Sequence, residues 1–174
     1  MDEGSWAIEC LVQAPVSAVR ALSFEAFYRR DRDQVAKALA LTIGDGALAV
    51  EATDEAMARA LARWDRIGTY DNPGGWVFRV GLNWARSWLR RRRFEHELPE
   101  SRPVEVRDPD VRADLDRALA SLDVKHRSVV VLRHVLGYSS LETAKTLGIS
   151  EGTVKSRLSR ALVRLRNELE DHDA

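Results

Sequence analysis

A chain of 174 residues with 45% hydrophobic side chains can bury the core of one ordinary domain or two small ones, and no uninterrupted apolar run is long enough to span a bilayer. Cys10 is the only cysteine, which excludes an internal disulfide framework and a thiolate metal cluster. The acidic start MDEGSWAIEC lacks the basic-then-apolar pattern of a secretory signal, so the expectation is a cytoplasmic protein without membrane insertion. The 27 Lys and Arg cancel the 27 Asp and Glu, and a net charge of zero argues at first against a nucleic-acid partner.

Residues 1–22 read as a loosely ordered N-terminal extension, with Pro15 interrupting any early helix. From Ser23 the residues Phe24, Phe27, Tyr28, Val35, Leu39 and Ile43 predict a helix with an aromatic anchor, broken by Gly44-Asp45-Gly46. A second helix is expected from about Leu48 through Met57 and Leu61 to Trp64. The turn-rich loop IGTYDNPGG follows, holding Pro73. A third helix, from about Gly75 to Arg92, carries Trp76, Val80, Trp84 and Trp88 at helical spacing. The segment ELPESRPVEVRDP, with three prolines and many acids, has the composition of a flexible linker. Beyond it a helix from about Val111 to Leu122 would bury Leu115, Leu119 and Leu122, and another from about Lys125 to Leu136 would bury Val129, Leu132 and Val135. No strand alternation persists, so the expected fold is all-α: two small helical domains, 23–94 and 113–170, joined by an acidic linker at 95–112.

The run SSLETAKTLGISEGTVKSRLSRALVRLR carries the most specific local signal. Ser139 with Glu142 three residues on makes a capping box, Ala144 permits close helix approach, and Gly148 suits the left-handed stop of a helix. Ile149 buries in the turn and Ser150 caps the next helix. There Val154, Leu158, Ala161, Leu162, Leu165 and Leu169 form an apolar period, leaving Thr153, Lys155, Ser156, Arg157, Ser159 and Arg160 pointing away. This pattern is a helix-turn-helix, whose second helix meets base edges with its first exposed turns. An amphipathic hairpin with merely solvated cations would show the basic face, but not the concurrence of cap, turn glycine and basic face.

The way the charges are distributed outweighs the net charge of zero. From Trp76 to Phe94 there are Arg79, Arg86 and Arg90 to Arg93 with no acid at all, while Glu95, Glu97, Glu100, Glu105, Asp108 and Asp110 collect in the middle of the chain and Glu168, Glu170, Asp171 and Asp173 at its end. Segregation of this kind produces basic patches that attract phosphates. The segment NPGGWVFRVGLNWARSWLRRRRF joins a turn-rich loop, a tryptophan at a helix start, Asn83 and an arginine block, a combination suited to unpaired strands. Trp84 and Trp88 read as core residues; Trp76 stays open between packing and base stacking. Arg90 to Arg93 complement the helix dipole, but four in a row exceed what capping requires.

At these residues the chain resembles the extracytoplasmic-function (group four) sigma factors of bacterial RNA polymerase, over roughly 24–169. The resemblance rests on NPGGW and GLNWARSWLRRRR in the first half, and on Leu122 with Arg127 and GISEGTVKSRLSRALVRLR in the second. It implies a sigma-two-like domain that recognises and helps melt the −10 element, and a sigma-four-like domain that reads the −35 element. It implies as partners core RNA polymerase, promoter DNA as duplex and as melted non-template strand, and an anti-sigma factor. Carried over residue by residue, Lys155, Ser156 and Ser159 face −35 bases, and Thr153, Arg157 and Arg160 lie near phosphates. Asn72, Trp76, Arg79, Asn83, Arg86, Arg90 and Arg91 serve the −10 region, with the loop from Gly68 to Gly75 capturing a flipped base. Glu51, Asp54 and Glu55 align with the polymerase-binding surface, although an ordinary solvated helix face presents the same acids. The chain departs from the family pattern at Thr53, in place of an apolar residue, at Asp54 in place of glutamine, at Asp123 in place of proline and at Thr143 in place of isoleucine.

Two other functions compete. A stand-alone helix-turn-helix regulator would share the hairpin and bind duplex DNA, but has no use for the loop and arginine helix of the first half. An enzyme would need a catalytic constellation; the sequence offers no metal-spaced ligand set, no phosphate loop and no nucleophile–base pair, and His96, His126, His134 and His172 are scattered. No catalytic residue, metal or cofactor is expected.

Overall fold

The computed structural model describes residues 23–95 and 111–170. The N-terminal extension with Cys10, the linker from 96 to 110 with His96, and His172 lie outside these, as do the side chains of Arg93, Leu115 and Leu169. All regular structure among the described residues is helical.

Helix α1 spans Phe24–Ile43, opened by Ser23, whose hydroxyl accepts from the Ala26 amide at 3.2 Å, and closed by Gly44 at φ 82°. Helix α2, Gly46–Leu61, starts directly after the Asp45 cap, so Gly46 is its first residue and not a breaker. It also stops three residues short of the expected Trp64. The chain bends at Ala62 and Arg63, and Trp64 opens the short α3, Trp64–Ile67. The bend lets the indole stack on Phe27 at 4.8 Å and meet Phe24 edge-on at 5.3 Å, while Leu61 is left exposed. The aromatic anchor is therefore Phe27, which is fully buried, whereas Tyr28 faces solvent.

Helix α4 runs Pro73–Glu95, longer at both ends than expected. Asn72 caps it, its Oδ1 accepting from the Gly75 amide at 2.7 Å, and Pro73 takes the first helical position, where its missing N–H costs nothing. The expected loop to Gly75 thus ends at Asn72. Helices α1, α2 and α4 bury Phe27, Val35, Leu39, Ala52, Met57, Phe78 and Leu82 between them. Gly81 makes the closest approach: a Cβ there would stand 2.7 Å from Leu39 Cδ1 and 3.1 Å from the Ala52 carbonyl.

In the second half α5 is Val111–Ser121 and α6 is Val124–Val130, which passes directly into a π-helical turn, Val131–Val135. Residues in a π turn advance less than the ~100° of an α-helix. Val131 and Leu132 consequently turn inward together and the expected core residue Val135 rotates out. Helices α7, Ser140–Leu147, and α8, Glu151–Glu170, complete the chain. Ala118, Leu119, Leu122, Val130, Ala161 and Leu165 form one small core and Val129, Ala144 and Val154 another. Leu162, expected inside, is exposed because the buried stripe of α8 is narrower than its periodicity suggests.

The halves are not separate. Val131 and Leu132 are fully buried in the core of α1, α2 and α4, and Leu41 of α1 packs against the core of α5 and α8. Arg127 crosses the boundary as well, described below.

Candidate nucleic-acid interface

The α7–α8 hairpin has every local device that the sequence announced. Ser139 Oγ accepts from the Glu142 amide at 3.1 Å while Glu142 accepts from the Ser139 amide at 2.7 Å, and the two Ser139 hydrogen bonds hold the Glu142 carboxyl below its ordinary pKa. Gly148 sits at φ 67°, Ile149 is half-buried, and Ser150 caps α8 by accepting from the Thr153 amide at 3.1 Å. With Val154 and Ala161 buried, Lys155, Ser156, Ser159 and Arg160 are exposed along one side of α8. Thr153 and Arg157 are half-buried, and the Thr153 hydroxyl lies 2.8 Å from Ser150 Oγ, so that it belongs to the cap as much as to the outer face.

On α4, Arg79, Asn83, Arg86, Arg90 and Arg91 are exposed at positions that follow one another along the helix, a basic stripe with no acid between them. Trp76, Trp84 and Trp88 are half-buried and pack against the first core, which gives Trp76 a packing role. The Arg92 guanidinium lies 4.7 Å from the Trp88 ring centroid, a cation–π contact within its own helix. Asn72 is half-buried: besides capping α4 its side chain lies beside the Tyr138 hydroxyl, whose pKa burial pushes up.

The acids of α2 divide. Glu51 is exposed and Glu55 pairs with Arg59 at 2.7 Å, one turn on. Asp54 accepts from Arg32 of α1 at 2.9 Å, and hydrogen bonds to Asp33 and then Asp54 push the Arg32 pKa up. This ion pair is invisible to any reading confined to α2. The departures from the family pattern each have a structural account. Thr53 is buried and donates to the Ala49 carbonyl at 2.7 Å. Asp123 caps α6 by accepting from the His126 amide at 2.9 Å, which keeps its carboxyl below the usual pKa. Thr143 is buried with its hydroxyl unpaired.

In the sequence Arg127 stands out only as part of a motif. It is largely buried, and donates to the carbonyls of Leu122 at 2.7 Å, Ala120 at 3.0 Å and Thr42 at 3.4 Å, with burial lowering its pKa. Tyr138 and Thr146, which meet α4, had no signal beyond an aromatic near a cap and a polar residue within a short helix. Among the described residues no cluster of three His, Cys, Asp or Glu side chains is placed to hold a metal, and no helix is long and apolar enough to cross a membrane.

Fold and exposed faces together define an all-helical, two-part DNA-binding protein of the helix-turn-helix class. Residues 112–165 match the family model described as sigma-70, region 4. The chain is 38% identical over 157 residues to the RNA polymerase sigma-E factor of Streptomyces avermitilis, covering 87% of this chain and 88% of that one. It is also 38% identical over 144 residues to the ECF RNA polymerase sigma factor SigL of Mycobacterium tuberculosis, with 77% and 81% covered. Of solved structures, CnrH in complex with the cytosolic domain of CnrY aligns with a TM-score of 0.62 at 27% identity, over 90% of this chain and 96% of that one. The sigma factor RpoE in complex with the anti-sigma factor NepR from Bartonella quintana shares the fold, with a TM-score of 0.71 at 24% identity over 84% and 96% of the two chains. This chain belongs to the extracytoplasmic-function RNA polymerase sigma factors.

Proposed function

We propose that the chain acts as a non-enzymatic specificity subunit, bringing core RNA polymerase to a promoter through two surfaces. In α8, Lys155, Ser156 and Ser159 meet −35 bases while Thr153, Arg157 and Arg160 serve phosphates. In α4, Arg79, Asn83, Arg86, Arg90 and Arg91, with Asn72 and Trp76 at its start, hold the −10 strand as it unpairs. Glu51, Asp54 and Glu55 supply an acidic face for the polymerase, and Asp54 must leave or share Arg32 to do so. The division into a 23–94 unit and a 113–170 unit with a tether between them fits this work.

The observation that carries the reading is the open side of α8, where Lys155, Ser156, Ser159 and Arg160 stand exposed behind a well-capped turn. Likeness to sigma factors across both halves supports it over a stand-alone regulator, which would account for only the second half. An anti-sigma protein is proposed as a further partner, because two neighbours of the same fold were solved with CnrY and NepR.

Run-off transcription with purified core polymerase on a genomic fragment library tests this. Promoter-specific transcripts that appear only with the chain present are the expected result. Tight sequence-specific duplex binding without polymerase, and no transcript, would select the regulator instead.

A further inference from the structure

Glycine inside a helix is disfavoured by its backbone entropy, so its presence there calls for a reason. Gly44, Gly137 and Gly148 have φ of 82°, 68° and 67°, the left-handed region that a side chain resists. A Cβ at Gly68, Gly74, Gly75 or Gly81 would stand 2.9, 3.2, 2.6 or 2.7 Å from another group of the chain. Gly152, the second residue of α8, has neither reason. It is exposed, its φ is not positive, and a Cβ there would meet Ser150 Oγ at an ordinary 3.9 Å. Nothing else among the described residues stands within 4 Å of that position. The space therefore serves something outside the chain.

The position of Gly152 on α8 says what that is. At ~100° per residue it stands about 180° from Ala161, which is fully buried, and so points straight away from the core. Exposed Ser156 and Ser159 lie within about 40° of the same line, and the long side chains of Lys155 and Arg160 rise on either side of it. A helix with its side chains measures ~10–12 Å across and the major groove is ~12 Å wide, so the residues on the leading edge decide how deep the helix goes. The first turn of a recognition helix enters first. Resting on the promoter reading above, we propose that Gly152 is a specificity-determining position of the −35 contact. Its bare backbone lets the start of α8 settle against the base edges and brings Lys155 and Ser156 within reach of them. A methyl group at this position would hold the helix off by about 1 Å or more, and a ~2.9 Å hydrogen bond stretched that far is lost. The helix is less stable for having glycine here; the groove, and not the core, is what the gap fits.

The test compares the full chain with Gly152→Ala, Gly152→Leu and, as an exposed control near the far end of α8, Asn167→Ala. Melting temperature is measured on each chain alone. Affinity is measured for each polymerase complex on a promoter recovered by the run-off assay above, intact and with its −35 segment scrambled. Stability and binding are expected to move in opposite directions. Gly152→Ala raises the melting temperature by about 1–4 °C. On the intact promoter it weakens binding about tenfold, within the range for one lost base contact, and Gly152→Leu weakens it further. Asn167→Ala binds as the wild type does, and on the scrambled promoter all four proteins bind alike. Equal binding of Gly152→Ala and wild type to the intact promoter overturns the proposal. So does an equal loss on both promoters, which would be general damage and not lost depth. A wild-type chain that yields no promoter-specific transcript overturns the promoter reading and this inference together, whereas a transcribing wild type beside an unaffected variant overturns this inference alone.

Discussion

Arg127 and Thr42, 85 residues apart, meet across the two halves: the guanidinium donates to the Thr42 carbonyl at 3.4 Å while its other nitrogen serves Ala120 at 3.0 Å and Leu122 at 2.7 Å. The buried cation is thus held among the carbonyl ends of α1 and α5, where helix dipoles concentrate negative potential. A lysine keeps the charge, but its three N–H donors leave from one nitrogen and do not span carbonyls that the wider guanidinium fork reaches from two. Arg127→Lys is expected to cost about 1–2 kcal/mol and Arg127→Ala about 3 kcal/mol or more, as buried acceptors lose their partner. Urea unfolding of the three proteins measures this, and equal stability of Lys and Arg would show that the fork geometry is unimportant.

Gly81 sits at the crossing of α4 with α1 and α2, where Leu39 Cδ1 is flexible but the Ala52 carbonyl is backbone and cannot give way easily. Gly81→Ala gains helix propensity of roughly 1 kcal/mol. Overpacking costs about 1–3 kcal/mol, and the steric term is expected to win, lowering stability on balance. A raised melting temperature for Gly81→Ala would mean that the three helices have room to separate.

Thr143 presents the opposite case. Its side chain is fully buried and its hydroxyl has no hydrogen-bond partner. Thr143→Val replaces the hydroxyl by a methyl of similar size and removes a desolvated polar group, with an expected gain of about 1 kcal/mol. Thermal unfolding reads the gain directly. A loss would indicate that the hydroxyl has a partner, such as a bound water.

What was legible in the sequence follows the range of the interactions involved. Ser139 with Glu142, Gly148 and Ser150 act within four residues, so the caps and turn of the hairpin could be placed from neighbours alone. Trp64 could not be placed that way: it follows the helical spacing of α2, yet stacking on Phe27 decides where it goes. Val135 failed for a similar reason, because the π turn that it ends changes the angular step on which periodicity depends. The exposed positions of α8 and α4 were readable from charge and spacing. That Asn72 and Arg79 come close to Tyr138 and the Gly148 turn was not, since it depends on how the halves pack.

Asp123 gives the chain an acid-sensitive cap. Its hydrogen bond from the His126 amide stabilises the charged form, so its folded pKa lies below the unfolded value of about 3.9. Stability from this group is therefore complete above the unfolded pKa and is lost as pH falls through the folded pKa. Asp123→Asn keeps an acceptor for the cap but has no proton to gain. The wild type is expected to be the more stable at pH 6, with the gap closing between about pH 5 and pH 2; the side chain is 57% exposed, so solvent screening keeps the effect small. A gap that stays constant over that range would assign the lowered pKa no role in stability.

The arginine block offers a test with an internal control. Arg90 and Arg91 are exposed, whereas Arg92 is stacked on Trp88 at 4.7 Å. Each phosphate that no longer meets a cation reduces the salt slope of binding by about 0.7 for a single strand and 0.9 for duplex. Replacing Arg90 and Arg91 by alanine is expected to weaken promoter binding by the polymerase complex at every sequence and to flatten its slope by about 1.4–1.8. Arg92→Ala is expected to change that slope far less, its loss appearing as helix stability through the missing ring contact. Promoter affinity measured across a salt series separates the three positions: equal slopes for all variants would place the block away from the DNA backbone, and an equal drop for Arg92→Ala would mean that its guanidinium leaves the indole for a phosphate when the promoter binds.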